Sequence, residues 1–242
     1  MRIGILVVAY NAESTLAKTI SRIPKSVYDK IFEILISDDQ SSDKTSKIAH
    51  EVKYNSNLPI RVITHPINLG YGGNQKFGYA WAIENNWDVV VLLHADGQYA
   101  PEYLENLFDP ILTSKVDAVF GSRMINKRNA LSGGMPFYKW IGNQILTRIQ
   151  NLLTRQEFHE WHSGYRAYKV ETLRKINFQK LSNGFRFDTQ IILELISQKA
   201  NFAEIDIPTF YGDEISHVNG LEYAREIIWD TMKFAISNRV SK

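Results

Sequence analysis

Two stretches of uninterrupted apolar residues constrain this chain more than anything else in it. Residues 89–93, VVVLL, and residues 3–9, IGILVVA, contain no polar side chain. Runs this short, rich in β-branched residues and without alternation, mark strands covered on both faces, as in a parallel sheet between two layers of helices. Polar groups follow where each run stops. Tyr10 and Asn11 come after the first, and His94, Asp96 and Gln98 after the second. In open α/β sheets, ligands bind outside the carboxyl ends of the strands. Asp96, with a donor-bearing side chain two residues away on each side, can hold a hard divalent cation such as Mg²⁺ or Mn²⁺. The same residues can instead cap the helix that Pro101 opens.

The rest of the chain repeats the pattern. Further strands are expected over residues 31–37, 60–64, 116–120 and 203–207. Helices are expected over 12–23, 75–85, 103–112, 135–153, 189–198 and 221–236, and from the Asp-Ser-rich turn after residue 37 toward residue 52. Strands alternating with helices predict an α/β domain with a mostly parallel, Rossmann-like sheet and helices on both faces. With 242 residues, one domain over 1–220 and an amphipathic C-terminal helix over 221–242 account for the length.

Composition excludes several classes. A chain that is 44% hydrophobic and 22% charged is not disordered. A net charge of +2 is too mild to argue for nucleic acid. The absence of cysteine removes disulfides, thiolate catalysis and thiolate zinc sites. No apolar run approaches the ~20 residues that cross a bilayer, and residues 3–9 are too short for a signal peptide. The expectation is a cytoplasmic protein, with any membrane contact peripheral, at the inner face or through a partner.

Several positions carry chemistry. Asp38 and Asp39 put two carboxylates at a strand's end, where paired acids accept hydrogen bonds from a ribose or base, or cap the next helix. The stretch 68–74, NLGYGGN, sets three glycines between a strand and a helix, where backbone can approach a phosphate. It matches neither the dinucleotide fingerprint nor the Walker loop. Arg123 after the 116–120 strand suits an anion clamp. Residues 135–153 carry an apolar stripe of Trp140, Ile141, Ile145, Ile149 and Leu152, flanked by Lys139 and Arg148, with Phe137 and Tyr138 at its start. This reads as a core-facing helix, the commoner arrangement, or as one that lies on lipid. Asp188 opens the 189–198 helix as a cap or a general base.

Taken in order, VVAYNAE (7–13), SDDQSSDKT (37–45), NLGYGGNQKFG (68–78), HADGQ (94–98), GSR (121–123), SGYRAY (163–168) and YGDEISHVN (211–219) resemble the motifs of family 2 glycosyltransferases of the GT-A fold. Within that family the chain is similar to dolichyl-phosphate mannose synthases and bacterial polyprenyl-phosphate sugar transferases. The resemblance implies inverting transfer of a sugar from a UDP- or GDP-sugar to a polyprenyl phosphate or glycan, aided by Mn²⁺ or Mg²⁺. It implies that Tyr10, Glu13, Asp38 and Asp39 hold the base and ribose and that Asn68, Gly70 and Gly72 line the nucleotide site. Asp96, assisted by Gln98 and by His217, would hold the metal, with His94 beside the donor. Arg123 and Arg166 would hold the acceptor or the leaving diphosphate. Asp188 would be the base for a hydroxyl acceptor and an orienting group for a phosphate. The chain departs from the family pattern at three places. His94 replaces the first Asp of the metal motif, which favours Mn²⁺ over Mg²⁺ or implies weaker metal binding; Gln40 replaces a usual Gly; Phe187 replaces an acid beside Asp188. Two other classes compete: a nucleotidyltransferase, disfavoured by the absence of a Gly-rich basic loop after the first strand, and a non-catalytic sugar-nucleotide binder with a decayed metal motif.

Overall fold

The computed structural model describes residues 1–210 and 220–240. Its strands are β1 (Ile3–Ala9), β2 (Ile31–Asp38), β3 (Ile60–Thr64), β4 (Val89–His94), β5 (Ala118–Ser122), β6 (Arg166–Lys169) and β7 (Phe202–Asp206). Among the described residues they form one seven-stranded sheet in the order β3-β2-β1-β4-β6-β5-β7. Every pair is parallel except those of β6, which runs antiparallel to both β4 and β5.

The register explains the apolar runs. Ile5 pairs with Val91 and Leu6 with Leu92, so alternate residues of neighbouring strands share a face. On one face Ile5, Val7, Ile34, Ile36, Val91 and Leu93 pack against α1 (Leu16–Ser21), α2 (Thr45–Asn55) and α4 (Leu104–Thr113). On the other, Leu6, Leu35, Val90 and Leu92 meet Tyr79 of α3 (Tyr71–Glu84) and Phe187, Ile191 and Ile192 of α8 (Phe187–Ser197). The central strands are buried on both sides, as their composition predicts.

Three local expectations change. The helix expected from residue 75 begins at Tyr71, so Gly72 and Gly73 lie in its first turn. Residues 126–134, polar, basic and glycine-containing and outside every expected element, contain α5 (Lys127–Ser132). Strand β6 was not anticipated: RAYK is short and half polar, and its pairing on both sides comes from tertiary context.

The largest change concerns α6 (Phe137–Thr154). A core-facing apolar stripe was the commoner arrangement, yet the helix is turned the other way. Its buried residues are Asn143, Thr147, Gln150 and Thr154. Ile141, Ile145 and Leu152 point outward. Hydrogen bonds hold the polar face inside. Asn143 Nδ2 donates to Glu160 Oε1 at 2.7 Å, and Gln150 Nε2 to Thr231 Oγ1 of α9 (Gly220–Val240) at 3.5 Å. The C-terminal helix α9 thus packs on α6. It also meets α8, where Gln190 Nε2 donates to Asp230 Oδ2 at 2.8 Å.

Candidate active site

Strands β1, β2 and β4 run parallel and adjacent, so the turns after them share one edge of the sheet. The first two turns interlock. Asn11, at φ 48°, accepts the Ser42 amide on its Oδ1 at 2.9 Å, and its own amide donates to Ser41 Oγ at 2.9 Å. Glu13 Oε2 accepts the Lys44 amide at 3.0 Å. Glu13 therefore has a structural use alongside any contact with a nucleotide, while Tyr10 is half exposed beside it.

The paired aspartates divide their roles. Asp39 is internal: its Oδ1 accepts the Leu69 amide at 2.7 Å and its Oδ2 the Gly70 amide at 3.0 Å. Burial raises its pKa, against the pull of those two amides. Each Asp39 oxygen thus already holds one backbone amide of the 68–74 stretch, alongside the ribose or base contact expected of it. Asp38 differs. Its Oδ1 accepts both the amide and the hydroxyl of Ser41, but its Oδ2 is buried without a partner. A buried carboxylate oxygen without a hydrogen bond is costly and is found where a ligand supplies the donor.

The glycine-rich stretch is also satisfied from within. Gln40, at φ 59°, holds the left-handed conformation in which the family pattern has Gly. Its side chain clips the stretch: Oε1 accepts the Asn68 amide at 2.8 Å and Nε2 donates to Pro66 O at 2.9 Å. Asn68 Nδ2 donates to Asp39 O, and Asn68 Oδ1 accepts the Gly70 amide. The Gly72 amide donates to Asn183 O at 2.7 Å. A Cβ on Gly72 would lie 2.6 Å from both Phe187 Cβ and Ser182 O. These glycines admit the segment before α8, whose Asn183 carbonyl takes the Gly72 amide.

At the end of β4, Asp96 is exposed and its Oδ1 accepts the Gln98 amide at 2.9 Å. His94 is buried between Tyr71 and Tyr99, which meet it edge to face. Its Nε2 has no partner, and a Cβ on Gly164 would come within 3.0 Å of it. Burial lowers the His94 pKa, though Asp96 and Asp188 oppose the shift. The imidazole lines the site as a buried ring whose Nε2 has no hydrogen-bond partner among the described residues. Among the described residues no three His, Asp or Glu side chains converge as a metal site. His217 and the rest of the 211–219 motif lie outside the described residues.

Both arginines turn inward. Arg123 Nε donates to Glu160 Oε1 at 3.0 Å, its Nη2 forms a close ion pair with the same oxygen, and its amide donates to Oε2 at 2.7 Å. Burial acts to raise the Glu160 pKa; the Arg123 charge and hydrogen bonds outweigh it and hold the group below the ordinary range. Arg166 donates from Nε, Nη1 and Nη2 to the carbonyls of Ser163, Asp188 and Trp161 at 2.7, 2.9 and 2.9 Å. Among the described residues their guanidinium groups hold the backbone carbonyls of residues 161–163 and of Asp188 at the edge of the site. Asp188 sits in the first turn of α8, where the helix terminus favours a negative charge. It accepts Tyr71 OH on Oδ2 at 2.8 Å and Gln75 Nε2 on Oδ1 at 3.2 Å. Burial, then the Asp188 charge, raises the Tyr71 pKa, so the phenol stays a donor.

Sequence reasoning missed Tyr71, Glu160 and His162. Nothing in the sequence signals that Glu160 answers Arg123 from 37 positions away. His162 Nδ1 lies 3.1 Å from Tyr223 OH, and its buried Nε2 has no partner. Burial lowers its pKa to about 4. The unfolded imidazole, near pKa 6.5, takes a proton that the folded one refuses. Stability is therefore complete above about pH 6.5 and falls as pH drops toward 4, by about 3 kcal/mol from this group. Urea unfolding at pH 7 and pH 5 checks this: His162→Gln should flatten the difference.

The comparisons agree with this architecture. The model of glycosyl transferase family 2 matches residues 4–176. A UDP-N-acetylglucosamine–dolichyl-phosphate N-acetylglucosaminyltransferase from Methanococcus voltae is 29% identical over 220 residues, 86% of each chain. An undecaprenyl-phosphate mannosyltransferase from Micrococcus luteus is 28% identical over 218 residues, 89% of this chain and 86% of the other. The structure superposes with a TM-score of 0.71 on glucosyl-3-phosphoglycerate synthase from Mycobacterium tuberculosis, solved with Mn²⁺, UDP and phosphoglyceric acid. That match covers 97% of this chain and 78% of the other at 16% identity, and it shows the fold, which is of the GT-A type. With more than half of its length matched by the family model, this chain belongs to glycosyl transferase family 2.

Proposed function

We propose that this chain transfers a sugar from a UDP- or GDP-sugar to a polyprenyl phosphate, with inversion and with the help of a divalent cation. The single observation that carries the nucleotide site is the unpartnered, buried Oδ2 of Asp38. It lies one strand away from β1 on one side, and the β4 terminus lies one strand away on the other. The two termini are about two strand spacings, roughly 10 Å, apart. Base-side and diphosphate-side contacts of one nucleotide fit such a separation. The acceptor class comes from the relatives, whose names specify dolichyl or undecaprenyl phosphate.

Asp96 fits a hard cation as a single exposed carboxylate beside the Gln98 amide group, and His94 does not join it, because its Nε2 is enclosed. The remaining ligands would come from the diphosphate and water. A bound Mn²⁺ or Mg²⁺ would neutralise charge on the departing diphosphate. A phosphate monoester is largely ionised at neutral pH and needs little base. Asp188 is then a positioning residue that anchors Tyr71 and Gln75; with a hydroxyl acceptor it would be the base. The acceptor sets the reaction at a membrane surface, and no described helix is long and apolar enough to cross one.

Incubation of the protein with Mn²⁺, labelled UDP- or GDP-sugars and a short-chain prenyl phosphate tests the proposal. The expected result is a labelled prenyl-phosphate sugar of inverted anomeric configuration. Label released only to water, or passed only to a glycan hydroxyl, would overturn it.

A further inference from the structure

Among the described residues, the apolar outward face of α6 is left uncovered. Tyr138, Ile141, Ile145 and Leu152 follow at intervals of three, four and seven residues, which is one stripe of a 3.6-residue helix. Tyr138 is 72% exposed, Ile145 51% and Leu152 81%. Phe137, also exposed, stacks on Trp140 at 5.7 Å between ring centroids. The inner face is polar, with Gln150 fully buried. A helix that buries amides and hydroxyls while presenting isoleucine, leucine and aromatic rings is arranged for an apolar medium outside the protein.

Charge identifies the medium. Residues 118–156 hold six arginines and lysines and no acidic residue, in a chain whose net charge is only +2. The remainder of the chain therefore carries −4. Lys127, Arg128 and Arg148 are exposed. Aromatic and aliphatic groups on one helix face, flanked by basic residues, are the pattern that enters the boundary of a bilayer with anionic headgroups. A second copy fits poorly, because a two-fold contact through this face would bring two such basic segments together.

We infer that the outward face of α6 docks the protein on an anionic lipid surface. Phe137, Tyr138, Ile141, Ile145 and Leu152 enter the acyl boundary, and the exposed Lys127, Arg128, Arg148 and Arg155 meet the headgroups. The inference deepens the proposed function and rests on the polyprenyl-phosphate reading for why such a face is present. Docking brings a soluble-donor site to an acceptor that cannot leave the bilayer.

The test is co-sedimentation of the full chain with vesicles of phosphatidylcholine alone or with one third phosphatidylglycerol. The double variant Ile145→Glu/Leu152→Glu changes only exposed positions. Alongside it, transfer to a water-soluble short-chain prenyl phosphate is measured without vesicles. The wild type should pellet with the anionic vesicles, and added salt should weaken this. The variant's partitioning should fall at least tenfold, with vesicle-free transfer and Tm unchanged. Equal pelleting of variant and wild type, or no pelleting of the wild type, would overturn the docking face. So would a wild-type dimer that the variant splits, which would make the face an interface between copies. Lost vesicle binding in the variant with no transfer by either protein would sink the acceptor reading and leave the docking face standing.

Discussion

Arg123→Ala is expected to cost about 3–5 kcal/mol of stability. The Arg123 guanidinium and the Glu160 carboxylate are both buried, and each is the other's charge partner. Among the described residues, alanine at 123 leaves the buried Glu160 carboxylate with Asn143 Nδ2 and the amide of residue 123 as its donors. Glu160→Ala should also destabilise, because it takes the carboxylate away from a buried guanidinium. The double variant should lie near either single one rather than at their sum, because the two residues act as a unit. Urea denaturation of the four proteins measures this. An arginine that only gripped a substrate anion would behave differently, with stability unchanged and the damage confined to transfer.

The second large effect is on activity alone. Asp96→Ala should lower metal-supported sugar transfer a hundredfold or more, about 3 kcal/mol in the barrier. Its stability should change by less than about 1 kcal/mol, since Asp96 is exposed and its one internal bond is to the Gln98 amide. Steady-state transfer rates together with Tm separate the two quantities. Asp96→Asn keeps the turn and removes the charge, so it should match the alanine variant in transfer and the wild type in Tm.

The central strands were legible because burial on both faces leaves no room for polar side chains, and IGILVVA and VVVLL say so directly. The turns at their ends were legible as well, because Tyr10 and Asn11 follow the first run and His94, Asp96 and Gln98 the second. What those side chains do was not. An arginine after a strand looks the same in sequence whether it faces a ligand or a glutamate 37 residues away. Asp39 looks like Asp38 until Leu69 and Gly70 fold across it. The glycines at 70 and 72 carry the composition of a phosphate loop, but Asn183 occupies the place in front of their helix. On α6 the periodicity of the stripe was plain and its direction was not. A 3.6-residue repeat marks an apolar face without saying whether the protein or another medium covers it. Asn143, Thr147 and Gln150 decided the matter because their partners, Glu160 and Thr231, lie inside.

Calorimetric titration of UDP and of GDP, with and without Mn²⁺, on the wild type and on Asp96→Ala, asks whether Asp96 couples the cation to the nucleotide. One nucleotide is expected to bind at least tenfold more tightly with Mn²⁺, and the gain is expected to vanish in the variant. Tight binding that ignores both the metal and Asp96 would contradict this coupling and leave a nucleotide-binding protein whose β4 terminus holds no cation.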